Sequence, residues 1–372
     1  MGIARGPNLI KDNLVFGYDT GYGVADNSTA TRFYPGEPTT NQADTDAKRN
    51  WGTHNGATSS TTTAPEKGPG WKKLIITNIN GNNYRLAQFP YLAHANGTTR
   101  TYSVEFDVGG LTGYFMFVDG TSGYAQTNVS GKGRYSTTIT ASGGNKSIAI
   151  FLGKSGTHSS INHVIYYKEY QVEEKSHASP FTDSTRSDTT SLIDLKKTTN
   201  IDVSNVSFDS TGQPEFDGTD DEIDITFPTL SSNLGSIEVV VARKDTTTNS
   251  FIFGAVGGST NRYYLRHAAS TSYDACRGNP LASASFGSLT EDKFYHLVMT
   301  WNANTIYAYT NGELMNTSSY TNPGTSITSG NIGQGSGNHV MADLPVFKIH
   351  SQILSATEIK NNYKAYKNRF NL

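Results

Sequence analysis

Two stretches of the chain set carboxylates at alternate positions, Glu105-Phe106-Asp107 and Glu222-Ile223-Asp224. On a strand such alternation puts both side chains on one face, near the roughly 5 Å separation that retaining glycoside hydrolysis requires. The first pair runs into Gly109-Gly110 and the second into Thr226-Phe227, so neither acidic series continues. A denser group, Asp217, Asp220, Asp221 and Glu222, offers hard oxygen ligands to calcium, and Asp343, at the other end of the same region, can join them. Calcium takes about six to eight such oxygens. The same residues also read as a turn whose Asp side chains bind local backbone N–H groups, since neither EF-hand spacing nor another full ligand set is present.

Other reactive types are placed less suggestively. None of the nine histidines falls into His-x-His or His-Glu-x-x-His, the spacings that aim two imidazoles at one metal. Gly333-Gln334-Gly335-Ser336-Gly337 lacks the lysine and the strand-turn-helix setting of a phosphate loop and reads as a hairpin loop. Cys276 is the single cysteine; no base is placed beside it, so it reads as a free thiol, and the chain folds without an internal disulfide, as suits a reducing compartment. Tyr114, Tyr124, Tyr263, Tyr264 and Tyr273 are candidates to stack on sugar rings, although sandwich tyrosines usually straddle core and surface. The sequence does not say which of them would form a site.

The elements that must position these groups are strands. In 372 residues only 17% are charged, 11% are aromatic, and Gly, Ser, Thr and Asn crowd nearly every segment. The formal net charge of -2, with Lys and Arg scattered, leaves no field to attract nucleic acid. No run of about 18 apolar residues occurs, so no membrane insertion is expected. Met1 to Pro7 lacks the apolar stretch of a signal peptide, which implies synthesis in a cytoplasm without ordinary secretion.

Residues 1–68 show little periodicity and end in a Ser/Thr-rich run, which predicts an extended N-terminal arm and linker. From 69 to 186, Tyr102-Ser103-Val104-Glu105-Phe106-Asp107-Val108 alternates cleanly, and short apolar runs bounded by Gly, Asn or Ser suit strands buried between sheets. Residues 187–372 repeat the pattern, with Tyr295, Leu297, Met299 and Trp301 on one face and Asn311-Gly312 marking a type I′ hairpin. Ser355 and Glu358 form a capping box for one closing helix with Ile359, Tyr363, Tyr366 and Phe370 at helical spacing. The fold class expected is all-β: an extended arm, then two antiparallel β-sandwiches, and one short C-terminal helix.

Four motifs in the last region carry a resemblance. Phe216-Asp217-Gly218-Thr219-Asp220-Asp221-Glu222-Ile223 is similar to the opening strand of laminin G-like, concanavalin A-type domains, and Tyr295 to Trp301 to their central strand. Tyr307 to Gly312 resembles the hairpin that follows, and Ala342 to His350 with Ile353 to Ile359 resembles the closing strand and helix. Leu344-Pro345 departs from that pattern and predicts an edge or bulged strand, because proline cannot donate to a ladder. Glucanases of this fold carry a third carboxylate on the strand face; its absence here implies no catalysis.

Gly6 to Asp19, with Arg32 to Asn41, resembles the start of tailed-bacteriophage virion proteins that display laminin G-like modules. Tyr170 to Lys175, Ala178 to Phe181 and Thr185-Arg186 resemble the exit of their carbohydrate-binding-module-like jelly roll. The resemblance implies a head, neck or tail fibre or decoration protein, a homo-oligomer docked on other virion proteins through residues 1–40. Its sandwiches would present loops to host surface polysaccharide. It implies no cofactor apart from the calcium candidates Asp217, Asp220, Asp221 and Asp343. The alternatives are a non-viral carbohydrate-binding module and, behind it, a glycan depolymerase.

Overall fold

The computed structural model describes residues 12–20, 24–25, 32–33, 36–49, 52–53, 58–78, 85–119, 126–151, 163–209, 212–244, 249–258, 261–269 and 272–372. The chain is mostly strand and divides into two compact units, one built on 187–372 with the N-terminal segment, the other on 38–186.

The first unit is an antiparallel sandwich of an eight-stranded and a six-stranded sheet. Tyr295, Leu297, Met299 and Trp301 point inward as the alternation requires and share a core with Ile237, Val239, Phe253, Phe347 and Ile349. The Asn311-Gly312 turn forms as read, with φ of +52° and +82°. Met341–His350 is central, paired to Gly235–Arg243 on one side and to Pro214–Asp217 and Leu14–Asp19 in succession on the other. Pro345 therefore does not mark an edge. The register jumps between Val240 and Ala242, so Leu344 and Pro345 together oppose Val241 in a bulge. On the other flank they fall in the gap between the two partner strands, where no ladder N–H is needed.

Leu14–Asp19, expected in a free arm, is instead part of that sheet. Phe16 and Tyr18 are fully buried; Tyr18 stacks on Phe347 at 6.4 Å, and its hydroxyl donates to the Leu344 carbonyl at 2.8 Å. The physical reason is that Leu14, Val15, Phe16 and Tyr18 gain by leaving water, and their strand completes the side of a central strand that would otherwise be bare.

The C-terminal helix, Ala356–Phe370, starts at the predicted Ser355–Glu358 capping box and lies on the outer face of the larger sheet. Its inward stripe is Ile359, Asn362, Tyr366 and Phe370, with Asn362 fully buried and Tyr363 only partly so. Asn362 donates to Glu238 at 2.8 Å, inside a sealed group that also holds His296, Lys348 and His350.

The second unit is a seven-stranded antiparallel ladder bent into two layers. Residues 92–107 pair with 132–146, whereas 112–118 lie between 126–130 and 147–151. At the corner, residues 108–111 oppose Gly131 alone, and Gly109 and Gly131 take φ near +60°, a conformation in which glycine is unstrained. Tyr102, Val104, Phe106 and Tyr167 from one layer meet Phe89, Val129 and Ile148 from the other; Phe89 stacks on Tyr170 at 3.7 Å.

Strands at Gly52–Thr53 and Thr58–Thr63 belong to this ladder, and Thr39–Thr40 pairs with Thr185–Arg186. The segment read as linker is thus structural: Thr-rich strands gain ladder hydrogen bonds that hydropathy does not register. Buried Asn41 fixes the start of the unit by donating to the Tyr170 and Thr182 carbonyls and accepting from the Val172 amide.

Candidate functional site

In the C-terminal sandwich the chain turns between Pro214–Asp217 and Ile223–Leu230 through Gly218, at φ +79°. The turn brings one carboxylate oxygen each from Asp217, Asp220 and Asp221 within 4.8 Å of one another. It is also held by those groups: Asp221 accepts from the Asp217 amide at 2.8 Å, and Asp217 from the Thr219 amide at 2.7 Å. Burial raises the Asp221 carboxyl above its usual range, and the neighbouring Asp217 and Asp220 charges push the same way against the Asp217 N–H bond. One oxygen from each makes three, at most half of the roughly six to eight that calcium takes.

Asp343 is not brought to them. The register sets it opposite Glu215, while Met341 faces Asp217. Its carboxylate pairs with Lys244 at 2.9 Å. Burial raises Asp343 while Lys244 opposes the shift. Glu222 turns to His339, 3.8 Å away.

The tyrosines proposed to stack on sugars are core residues where they are described. Tyr263 is fully buried, 3.6 Å from the Arg277 guanidinium and edge-on to Trp301. Tyr273, also fully buried, stacks on His267 at 4.6 Å, and Tyr264 packs edge-on to Phe251. The side chain of Tyr114, and Tyr124 entirely, lie outside the described residues. Cys276 is buried, and burial pushes its thiol up to about 11, with a Ser283 contact opposing.

The second unit carries the other alternating carboxylate pair. Glu105 and Asp107 do share the outward face of their strand, but each carboxylate is matched by a lysine: Glu105 with Lys168 at 3.0 Å, Asp107 with Lys67 at 2.7 Å. The Lys67 bond holds the Asp107 carboxyl below its usual range despite partial desolvation. A general acid needs the opposite shift. Lys168 also reaches Glu169 at 2.8 Å, and Arg134 donates to the Ser103 hydroxyl at 2.8 Å.

At one end of this face lies Trp71, with the ammonium groups of Lys132 and Lys168 5.3 and 5.4 Å from its ring centroid. Trp71 lines an open cleft of about 460 Å³ together with Thr63, Pro65, Gly68, Pro69 and Gly70. Sequence reading passed over this place. The only signal was a tryptophan after the turn-forming run Gly68-Pro69-Gly70, and Trp71 itself is buried.

Residues 217–360 match the family model of the concanavalin A-like lectin/glucanases superfamily, which agrees with the two-sheet sandwich found there. The search of curated proteins gives no match. Among solved structures, domain 4 of an extracellular arabinanase from Geobacillus stearothermophilus, determined with arabinotriose, is 14% identical, with 44% of this chain and 81% of that one covered and a TM-score of 0.34. The receptor-binding domain of botulinum neurotoxin type G is 15% identical, over 46% and 48%, with a TM-score of 0.38. A Trypanosoma rangeli sialidase bound to sialic acid is 11% identical, over 85% and 63%, with a TM-score of 0.40. The chain thus spans about half of the botulinum binding domain and under two thirds of the sialidase.

Proposed function

We propose that this protein is a non-catalytic, glycan-binding component of a tailed-bacteriophage particle, displayed on head, neck or tail. The observation that carries the glycan-binding part is the match of residues 217–360 to the lectin/glucanase family model. The non-catalytic part rests on the carboxylates: Glu105 and Asp107 are each neutralised by a lysine, and Asp107 is held low where a proton donor would be held high. The particle assignment rests on the resemblance of Gly6 to Asp19, Arg32 to Asn41 and the Tyr170 to Arg186 exit to virion proteins.

The way it would attach differs from a free arm. Residues 14–19 are built into the C-terminal sheet, so docking on other virion proteins would use residues before them together with the surface of the sandwich. Oligomerisation would multiply weak sugar contacts into useful avidity. Proteomics and immunogold labelling of purified particles test the assignment: labelling at a fixed particle site supports it, and absence from washed particles rejects it.

A further inference from the structure

We propose that Lys348 and Asn362 are the two ends of an intramolecular isopeptide bond, formed beneath the C-terminal helix with Glu238 as its proton carrier. Lys348 lies directly opposite Glu238 in the antiparallel ladder, and Asn362 reaches the same carboxylate from the helix. Asn362 donates to one Glu238 oxygen at 2.8 Å, and the Lys348 ammonium stands 3.8 Å from the other. Lys348 also donates to the Tyr366 hydroxyl. Tyr366 follows Asn362 by four residues, the spacing that makes side chains neighbours on one helix face. An amine, a carboxamide and an acid–base group therefore meet at one point. Lys348 is 1% exposed, and Glu238 and Asn362 are fully buried, among Val240, Val346, Phe370, Val298, Leu354 and Ile359. Water, which would compete as nucleophile, is kept out.

The chemistry needs no other reactant. Glu238 takes a proton from the Lys348 ammonium, and the lone pair of the amine attacks Cγ of Asn362. The Nζ–Cγ bond forms, the Cγ–Nδ2 bond breaks, and the old amide nitrogen leaves as ammonia. Of the three ammonium protons, one stays on the new amide, one leaves with the ammonia and one remains on Glu238. An ion pair is thereby replaced by neutral groups, so no uncompensated charge is left in the sealed site. Burial is the largest influence on Glu238 and favours its neutral form, yet Lys348, His296 and His350 together hold the carboxyl well below its usual range. The first proton transfer is therefore uphill. The bond forms slowly, and the newly folded chain still carries the ion pair. The product ties the helix to the sheet beneath it in a chain whose single cysteine cannot make an internal disulfide.

The test follows the intact mass of the full chain, freshly refolded and then kept at neutral pH and physiological temperature. The mass is expected to fall by one ammonia. Trypsin should then release a product left uncut after Lys348 and joined to residues 361–364, the peptide that contains Asn362. Asn362→Ala and Glu238→Gln should keep their full sequence masses, compared at a temperature where circular dichroism shows each variant folded. Asn361→Ala, at the neighbouring asparagine, should lose ammonia as the unaltered chain does. An unaltered chain that holds its sequence mass throughout overturns the proposal. So does ammonia loss that maps to another asparagine, persists in Asn362→Ala, or continues unslowed in Glu238→Gln.

Discussion

Glu238→Gln should be among the most damaging isosteric changes in the molecule. Glu238 is fully buried beneath the C-terminal helix, where one carboxylate oxygen contacts His296 Nε2 at 2.7 Å and accepts from Asn362 at 2.8 Å. The other faces Lys348 Nζ and His350 Nε2, each at 3.8 Å. Burial is the largest influence on this carboxyl and pushes it up, yet Lys348, His296 and His350 together hold it well below its usual range. The amide keeps one acceptor but turns an N–H₂ or a neutral oxygen toward a sealed ammonium. Removing one partner of a buried pair costs about 3–5 kcal/mol, and the retained acceptor and the Lys348–Tyr366 hydrogen bond favour the lower end. At about 2–4 °C per kcal/mol for a domain of this size, calorimetry should find the C-terminal unit melting roughly 6–12 °C lower. Lys348→Met added to it should recover more than half of the loss, because the pair as a whole is worth little against an apolar replacement. Because the folded pKa is depressed, the stabilisation is full above the ordinary glutamate value of 4.5 and lost as pH falls from there through the folded value. The variant should therefore show a shallower acid loss than the unaltered chain. A change under about 0.5 kcal/mol, or a double variant as unstable as the sum of the singles, would refute the reasoning.

Gly333→Ala should destabilise by about 3 kcal/mol in urea titration, since its methyl would lie 2.4 Å from the Phe216 ring at a residue with φ of +87°. Removing residues 1–20 should cost roughly 5 kcal/mol or more, because Phe16 and Tyr18 leave the core and half of one flank of Met341–His350 is bared; loss of slow amide exchange in that strand checks this. Cys276 should resist thiol reagents at pH 8, where a thiol of pKa about 11 is only about one thousandth ionised, and react once per chain in denaturant. Its raised pKa contributes stability in full below the ordinary thiol value of 9.0 and loses it as pH rises toward 11.

Local features were legible in the sequence because local chemistry determines them. Asn311-Gly312 takes positive φ at both positions, and Ser355 with Glu358 forms the capping box, each without help from distant residues. The features that were misread depend on pairing across long separations. Leu14–Asp19 looks like any short apolar run; nothing within it reveals a partner strand more than 300 residues on. Asp343 missed the acidic turn because the register sets it two residues from Met341, the partner of Asp217. Tyr363 was expected where Asn362 is buried, since hydropathy ranks side chains one at a time and cannot see that Glu238 across the sheet demands a donor. Tyr263 and Tyr273 were sugar candidates because alternation gives the two faces of a strand without saying which face is inside.

Glycan binding without cleavage can be checked in a single experiment. A panel of purified bacterial capsular polysaccharides is titrated with the full chain by calorimetry, and reducing ends are assayed in the same samples after prolonged incubation. Saturable heat with at least one polysaccharide and no growth in reducing ends are expected. New reducing ends, or no binding across the panel, would contradict this reading.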